Sequence, residues 1–525
     1  MAIDWYSMSG NAREILIVGG GTAGWLAAAY LARMLGADRP RGVRVTLVES
    51  RDIGILGVGE GTFPTIRKTL ARIGIGEADL IRQCGATFKQ GAKFVHWRRP
   101  PGSPAPDHYF HAFQEAADHF GLELLPYWLL SAGGQDNWDS VATPQKAAAD
   151  AHRAPKLPSH PDFSGPLNYA FHFDAVRLAA MLRDQGIANG VRHLVDTVDE
   201  VLLGEDGAIA GVRCAAGGVL TADLYIDCTG FRAELIGRAL GQPWKSCRDK
   251  LFCDSAIAIP VPYEQPDAPI ASYTISTAQE AGWIWDIGLD SRRGIGHVYS
   301  SAHSNQERAE RLVRGYVGPV GDALETRHFR FDAGYRETNW YKNCVAIGLS
   351  SGFFEPLEAT GIVFSEVAAA LLVNLFPWAG DYETSARQFN LNMRRRYERA
   401  LDFIKLHYCL SERRDSAFWI DNVDPSSNTD SLIELLDRWR HRPPNEMDVD
   451  PNIDIFGASS WQYVLYGMGW KTDLSAKAGV FRFENEARAA FAEVGRQSEL
   501  AVRNLPSNRE LVTFAQRSAF GAQTT

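Results

Sequence analysis

The feature that most constrains this 525-residue chain is a run of glycines placed directly after a short apolar strand. Residues 14 to 18 (EILIV) read as that strand, and Gly19-Gly20-Gly21-Thr22-Ala23-Gly24 follows at once. A small-residue helix then runs to about Leu35, and residues 43 to 48 (VRVTLV) form a second strand ending on Glu49. This is a complete β-α-β unit of the size that dinucleotide folds use. Gly19 permits the tight turn, Gly21 lets backbone amides approach a pyrophosphate, and Gly24 lets the helix pack on the strand. Thr22 and Ala23 open the helix, whose N-terminus supplies N–H donors and partial positive charge for a phosphate. Glu49 stands where a carboxylate accepts bonds from the adenosine ribose hydroxyls.

A second segment selects FAD over NAD. Residues 191 to 227 alternate as strands, turn at Gly204-Glu205-Asp206-Gly207, and end in the apolar run Leu224-Tyr225-Ile226 before Asp227-Cys228-Thr229-Gly230. In two-dinucleotide flavoproteins such a strand, preceded by a β-meander, returns to the first sheet beside FAD. Proline-rich loops are expected at 99–106 and 143–166, and charged helical periodicity dominates from 381 onward. The expected fold is therefore α/β, an FAD-binding dinucleotide fold of the two-dinucleotide, monooxygenase type. Residues 12–380 would form the FAD-binding module with interleaved substrate segments, and 381–525 a mainly helical region packed on the substrate side.

Composition excludes several classes. A formal charge of -9 argues against a protein that tracks nucleic-acid phosphates, and Arg394-Arg395-Arg396 reads as a solvated helix face. The seven cysteines are scattered without a CxxC pair, which points to reduced thiols and a cytoplasmic protein, with neither a disulfide framework nor a zinc site. Residues 1–11 lack a charged region followed by an apolar run, so no secretory signal is expected. Residues 362–378 are apolar but interrupted by Ser365, Glu366 and Asn374, as in a buried helix and not a membrane span. His108 and His111 have HxxH spacing but no further ligand, so no metal is expected.

Further motifs carry a resemblance. Gly19 to Trp25 (GGGTAGW) opens the chain; Gly57-Val58-Gly59-Glu60-Gly61-Thr62 follows; then come Lys89 in CGATFKQGAKF and His172-Phe173-Asp174. Later come Gly282-Trp283-Ile284-Trp285-Asp286-Ile287 and Phe354-Glu355-Pro356-Leu357-Glu358-Ala359-Thr360-Gly361-Ile362. To about residue 470 the chain resembles flavin-dependent halogenases of the tryptophan halogenase family. It departs at Gly288, where the family's WxWxIP signature has proline. The resemblance implies Lys89 as the catalytic lysine, Glu358 as the catalytic glutamate, and a halide site at Thr360 and Gly361. It places Ile362, Val198, Gly230 and Gly348 with the glycine turn at the flavin. His111 and Phe113, 22 and 24 residues after Lys89, correspond to a His-x-Phe pair that sandwiches the indole, with Trp461 supplying the opposite face.

The activity so implied uses reduced FAD, oxygen and a halide, bromide or chloride, to make hypohalous acid. Lys89 then presents the electrophilic halogen to a small indole-like aromatic, through a hydrogen bond or as a haloamine. Glu358 would orient the lysine or the acid, or accept the ring proton. A lysine suits either role, because its ammonium is a compact donor and its amine becomes nucleophilic once burial lowers the pKa. No second nucleotide fingerprint is evident, so a separate NAD(P)H-dependent flavin reductase is the expected partner. A homodimer is an open possibility. Two alternatives share the FAD fold: an aromatic hydroxylase, which needs neither Lys89 nor the paired tryptophans, and a non-catalytic or RNA-associated flavoprotein. No polar clamp for an amino-acid head group stands out, so a simpler indole or a larger aromatic fits as well as free tryptophan.

Overall fold

The computed structural model describes residues 12–51, 54, 59–104, 107–117, 121–130 and 137–521. Gly57 and Val58, which begin the Gly57-Val58-Gly59-Glu60-Gly61-Thr62 motif, lie outside the described residues. The strand Glu14–Val18 is buried from Ile15 to Val18 because it runs through the middle of a sheet covered on both faces. That sheet has the order Trp340–Tyr341, Cys344–Ala346, Leu224–Asp227, Glu14–Val18, Arg44–Glu49, Arg192–Val195. All its pairings are parallel except the Trp340–Tyr341 edge. Leu224–Asp227 does return beside the first strand, with Ile226 opposite Ile17 and Asp227 opposite Val18. The buried Asp227 carboxylate then accepts N–H bonds from Thr229, Leu235 and Ile236, which fixes the turn that follows.

One face of the sheet carries the helices Thr22–Met34, Ala175–Ala188 and Thr360–Asn374. The other face is closed by the meander Val198–Leu203, Ile209–Cys214, Gly218–Leu220, which builds a small separate core from Leu16, Val18, Val48, Tyr225, Ile209 and Val212. Thr360–Asn374 holds most of the apolar segment 362–378. By length and composition Leu357–Asn374 could cross a membrane, but the helix packs against Thr22–Met34, Ile66–Ile73 and Tyr382–Cys409. Its Glu366 is buried and pushed up to about 8 by desolvation, with Thr69 donating at 2.6 Å. All seven cysteines are free.

The interleaved segments form two further sheets. Gly91–Val95 and His108–Ala112 join a seven-stranded sheet by parallel pairing of Gly91–Val95 with Thr274–Gln279. A three-stranded sheet of Gly59–Gly61, Ala170–Asp174 and Thr87–Lys89 links this layer to the nucleotide fold. From Tyr382 onward the named elements among the described residues are helices, beginning with the 28-residue Tyr382–Cys409. Its apolar face turns Phe403 and His407 inward against Phe94 and Phe456. The last helix, Asn508–Arg517, packs on Glu77–Cys84 and Thr87–Lys89, and Asn508 Nδ2 donates to the Phe88 carbonyl at 3.2 Å.

A fully buried ion pair supports the same corner. Lys156 Nζ donates to Glu77 Oε2 at 2.6 Å, and the Tyr169 hydroxyl and Phe163 N–H also donate to Glu77. Removing one member of such a pair strands the other charge in a low-dielectric interior. Lys156→Met should cost about 3–5 kcal/mol, read as a lower urea midpoint. Lys156→Met combined with Glu77→Leu should recover part of that loss; equal midpoints for wild type and Lys156→Met would contradict this.

Candidate active site

The glycine turn has the stereochemistry its sequence requires. Gly19 sits at φ +109°, and a Cβ there would lie 2.3 Å from the Cys228 carbonyl oxygen. A Cβ on Gly24 would lie 2.0 Å from the Gly19 carbonyl oxygen, so the helix rests directly on the turn. Gly21 is different: among the described residues, beyond its own chain neighbours, no atom lies within 4 Å of the Cβ it lacks. The Glu49 carboxylate covers Gly20 and lies 2.8 Å from His193 Nε2, a partner on the adjacent strand that sequence reasoning missed. Gly348, at φ +79°, faces Ala23 so closely that a Cβ would stand 2.6 Å from Ala23 Cβ. Gly230, at φ +68°, follows the Leu224–Asp227 strand. Val198 starts the meander beside Thr197, whose hydroxyl lies 2.9 Å from that of Ser50. Ile362 is in the first turn of Thr360–Asn374. A narrow turn, an open amide edge and a terminal carboxylate are what an extended pyrophosphate-linked dinucleotide requires.

Lys89 ends the strand Thr87–Lys89 and is buried, 2 % exposed. Its ammonium donates to the Thr62 carbonyl at 3.3 Å and lies 5.0 Å from the centre of the Phe113 ring. Gly61 forms the roof, since a Cβ there would come within 3.2 Å of Nζ. Burial lowers the Lys89 pKa to about 8, against the opposing pull of Glu358. His172, diagonal to Lys89 in the same small sheet, is buried with its Nε2 2.9 Å from the Thr274 hydroxyl. Desolvation, helped by the Lys89 charge, holds it well below its usual pKa and so neutral.

Glu358 is placed by a strained backbone. It and Ala359 both adopt left-handed conformations, φ +66° and +54°, immediately before the helix Thr360–Asn374. Non-glycine residues in this region cost of order 1–3 kcal/mol each, and such strain concentrates at functional sites. One carboxylate oxygen, Oε1, lies 2.7 Å from His111 Nδ1 and 3.2 Å from His407 Nε2. Burial opposes the charge, but the two imidazoles outweigh it and hold Glu358 well below the usual carboxylate range. The second imidazole, His407, comes from the helix Tyr382–Cys409, and no local motif announces it.

The aromatic wall differs from expectation in one member. His111 and Phe113 lie on one face of the same strand end, with Phe63 5.7 Å from Phe113. The ring that meets Phe63 and His111 from the C-terminal region is Phe456, at 5.3 and 6.3 Å, stacked on Phe403 at 3.7 Å. Trp461 stands one layer behind, edge-on to Phe403 at 4.9 Å, against Trp439, with the Arg399 guanidinium over it. It belongs to the helix Ala458–Gly467, whose inner face packs on Tyr382–Cys409, whereas Phe456 precedes that helix and is free to reach forward. Trp283 and Trp285 are both buried, Trp283 near Trp97 and Trp285 laid across Gly296. The Gly288 carbonyl accepts from the Thr87 hydroxyl at 2.6 Å, two residues before Lys89. Among the described residues no group of three or more His, Cys, Asp or Glu could hold a metal ion.

Fold and site together define a dinucleotide-binding enzyme in which a buried lysine and a buried carboxylate face an aromatic wall. The tryptophan halogenase family profile matches residues 14–480. A tryptophan 6-halogenase of Streptomyces toxytricini is 36% identical over 522 residues, covering 95% of this chain and 98% of the relative. The crystal structure of a tryptophan halogenase from Shewanella frigidimarina superposes with a TM-score of 0.93 at 37% identity, covering 97% of this chain and 98% of that one. A flavin-dependent halogenase from Brevundimonas sp. BAL3 gives 0.85 at 32%, covering 96% and 99%. The chain belongs to the tryptophan halogenase family and is in class an FAD-dependent halogenase; these relatives do not favour the hydroxylase alternative.

Substitutions at Gly24 and Gly21 test whether stability and cofactor binding separate. Gly24→Ala should lower both the melting temperature and FAD affinity, because the added methyl meets backbone. Gly21→Ala should leave the melting temperature near wild type and weaken FAD binding alone, read by flavin fluorescence titration. Equal behaviour of the two variants would count against this division of roles.

Proposed function

We propose that this chain holds reduced FAD on the glycine turn and passes a halogen from hypohalous acid through Lys89 to an electron-rich, indole-like ring. The observation that carries the reading is the setting of Lys89, a buried amine above an aromatic wall with its pKa lowered to about 8. At pH 7 about a tenth of such a lysine is free amine, against about four parts in ten thousand for an ordinary one. That favours the haloamine route over simple hydrogen bonding. The chemistry that FAD supplies when bound is activation of oxygen toward the halide; Gly19, Gly21, Thr22, Ala23, Gly24 and Glu49 would hold it, with Val198, Gly230, Gly348 and Ile362 completing its surroundings.

Thr360 and Gly361 begin the helix Thr360–Asn374, where the first N–H groups have no acceptor inside the helix. A buried hydroxyl and these amides suit a monovalent anion, and among the described residues nothing outside the helix's own backbone and the two chain neighbours lies within 4 Å of the Cβ that Gly361 lacks. At Lys89 the amine nitrogen attacks the halogen of hypohalous acid, an N–halogen bond forms, the HO–halogen bond breaks, and water leaves. The aromatic ring then takes the halogen from nitrogen, and its proton passes to the amine so released or to Glu358. His111 and Phe113, with Phe456, would hold the flat ring by stacking and apolar burial. The reductant arrives from a separate NAD(P)H-dependent flavin reductase, in keeping with the single nucleotide fingerprint.

Lys89→Ala should lower halogenated product per reduced FAD by about a hundredfold or more while flavin binding persists. Lys89→Arg should rescue poorly, since a guanidinium cannot form the same haloamine. Lys93→Ala is the control, because Lys93 pairs with Asp150 at 2.9 Å away from the site. Wild-type yield from Lys89→Ala, measured by mass spectrometry over an indole panel, would overturn the reading. For the wild type, single-turnover halogen transfer should rise with pH through about 8 as Lys89 loses its proton, then level off; a fall over that range would favour the protonated lysine. Thr360→Val should raise the halide concentration for half-maximal product about tenfold, with oxygen consumption by reduced flavin retained.

A further inference from the structure

The carboxylate of Glu358 is gripped more firmly than halogen transfer alone requires. His111 and His407 reach the same oxygen, from a strand and from the long helix respectively. The His407 ring is fully buried, stacked on Phe94 at 4.6 Å and edge-on to Phe403 at 5.4 Å, and its Nδ1 lies 2.7 Å from the Tyr109 hydroxyl. Burial pushes the Tyr109 phenol well above its usual pKa, so it keeps its proton. The carboxylate beside Nε2 only accepts, which favours the His407 tautomer with its proton on Nε2 and Tyr109 donating to Nδ1. An ionised carboxylate accepts only, so His111 must likewise present an N–H from Nδ1.

We infer that Tyr109, His407 and His111 clamp Glu358 as a fixed anion throughout the reaction, and that the ring proton returns to Lys89 instead of passing to Glu358. This rests on the proposed halogen transfer through Lys89. The titratable groups facing Glu358 are His111 and Tyr109 from one strand, Lys89 from another, and His407 from the helix. The His111 nitrogen hydrogen-bonded at 2.7 Å, and the His407 Nε2 that stands 3.2 Å from the same oxygen without a hydrogen bond's alignment, stabilise the charged form and weaken it as a base. Desolvation holds His407 below its ordinary pKa, in the neutral state the clamp needs. A buried anion then stabilises positive charge as it develops on the lysine nitrogen and on the ring, with no reorganisation at the moment of reaction.

The protons balance. Counted from the resting ammonium, Lys89 plus hypohalous acid gives the haloammonium and water. Halogen transfer to the ring leaves a neutral amine and a cationic ring, and that amine takes the ring proton as the ring C–H electron pair restores aromaticity. The ammonium is regenerated, and the net change is hypohalous acid plus arene to haloarene plus water. Glu358 gains no proton at any point. His407 and Tyr109 are positioning residues here.

Three variants and one spectrum test this. His407→Phe removes the Nε2 donor, so Glu358 should protonate more readily and product formation should fall about tenfold more steeply toward pH 6 than in wild type. His407→Gln keeps an N–H donor and should recover the wild-type shape of the pH profile at a reduced rate. Tyr109→Phe frees the tautomer and should fall between the two. In the protein without flavin, ¹⁵N-histidine spectra, assigned by difference against His407→Gln, should show His407 neutral with its proton on Nε2 from pH 6 to 9. That spectrum reads the clamp without any turnover, so its failure is separate from a failure to halogenate. A proton on Nδ1, titration of His407 within that range, or superimposable pH profiles for His407→Phe and wild type would each overturn the inference.

Discussion

Two opposite charges taken out of water govern this structure. An isolated buried carboxylate or ammonium is too costly to persist as an ion, and each must be met by donors or acceptors, or lose its charge. The chain solves the problem differently for Glu358 and Lys89. Glu358 receives two imidazoles and stays ionised, whereas Lys89 receives one carbonyl oxygen, that of Thr62, and drifts toward the free amine. The unequal treatment keeps one group an anion and loosens the proton of the other.

Placing these groups requires segments from across the chain. The strand of Lys89 lies in a small sheet completed by Gly59–Gly61 and Ala170–Asp174, and that sheet hangs between the nucleotide fold and the seven-stranded layer. The left-handed pair Glu358 and Ala359 turns the glutamate toward the aromatic side while the helix behind it runs back to the nucleotide layer. One backbone kink thus gives the carboxylate and the helix N-terminus different directions, although Thr360 follows Glu358 by only two positions.

What was legible in the sequence was what is decided locally. Gly19 and Gly24 are demanded by contacts with backbone a few residues or one strand away, and the return of Leu224–Asp227 follows from its apolar run and its Thr-Gly ending. The motif around Glu358 is likewise continuous. His407 was not legible: it lies 298 residues from Tyr109, on a helix whose periodicity marks a buried face but not which neighbour it meets. Trp461 shows the same limit. A large aromatic near the right place in the chain is drawn into a helix–helix contact, and the smaller Phe456, just outside that helix, occupies the forward position.

The bond from Asn508 to the Phe88 carbonyl spans 420 residues, and the neighbouring Asn508 N–H reaches the His152 carbonyl at 2.8 Å. During synthesis the strand of Lys89 therefore waits for nearly the whole polypeptide before its final support arrives. The order of assembly matters where the proton affinity of an amine is set by burial. A lysine still in water is an ordinary ammonium, and the lowered pKa of Lys89 comes only together with the walls that confine it.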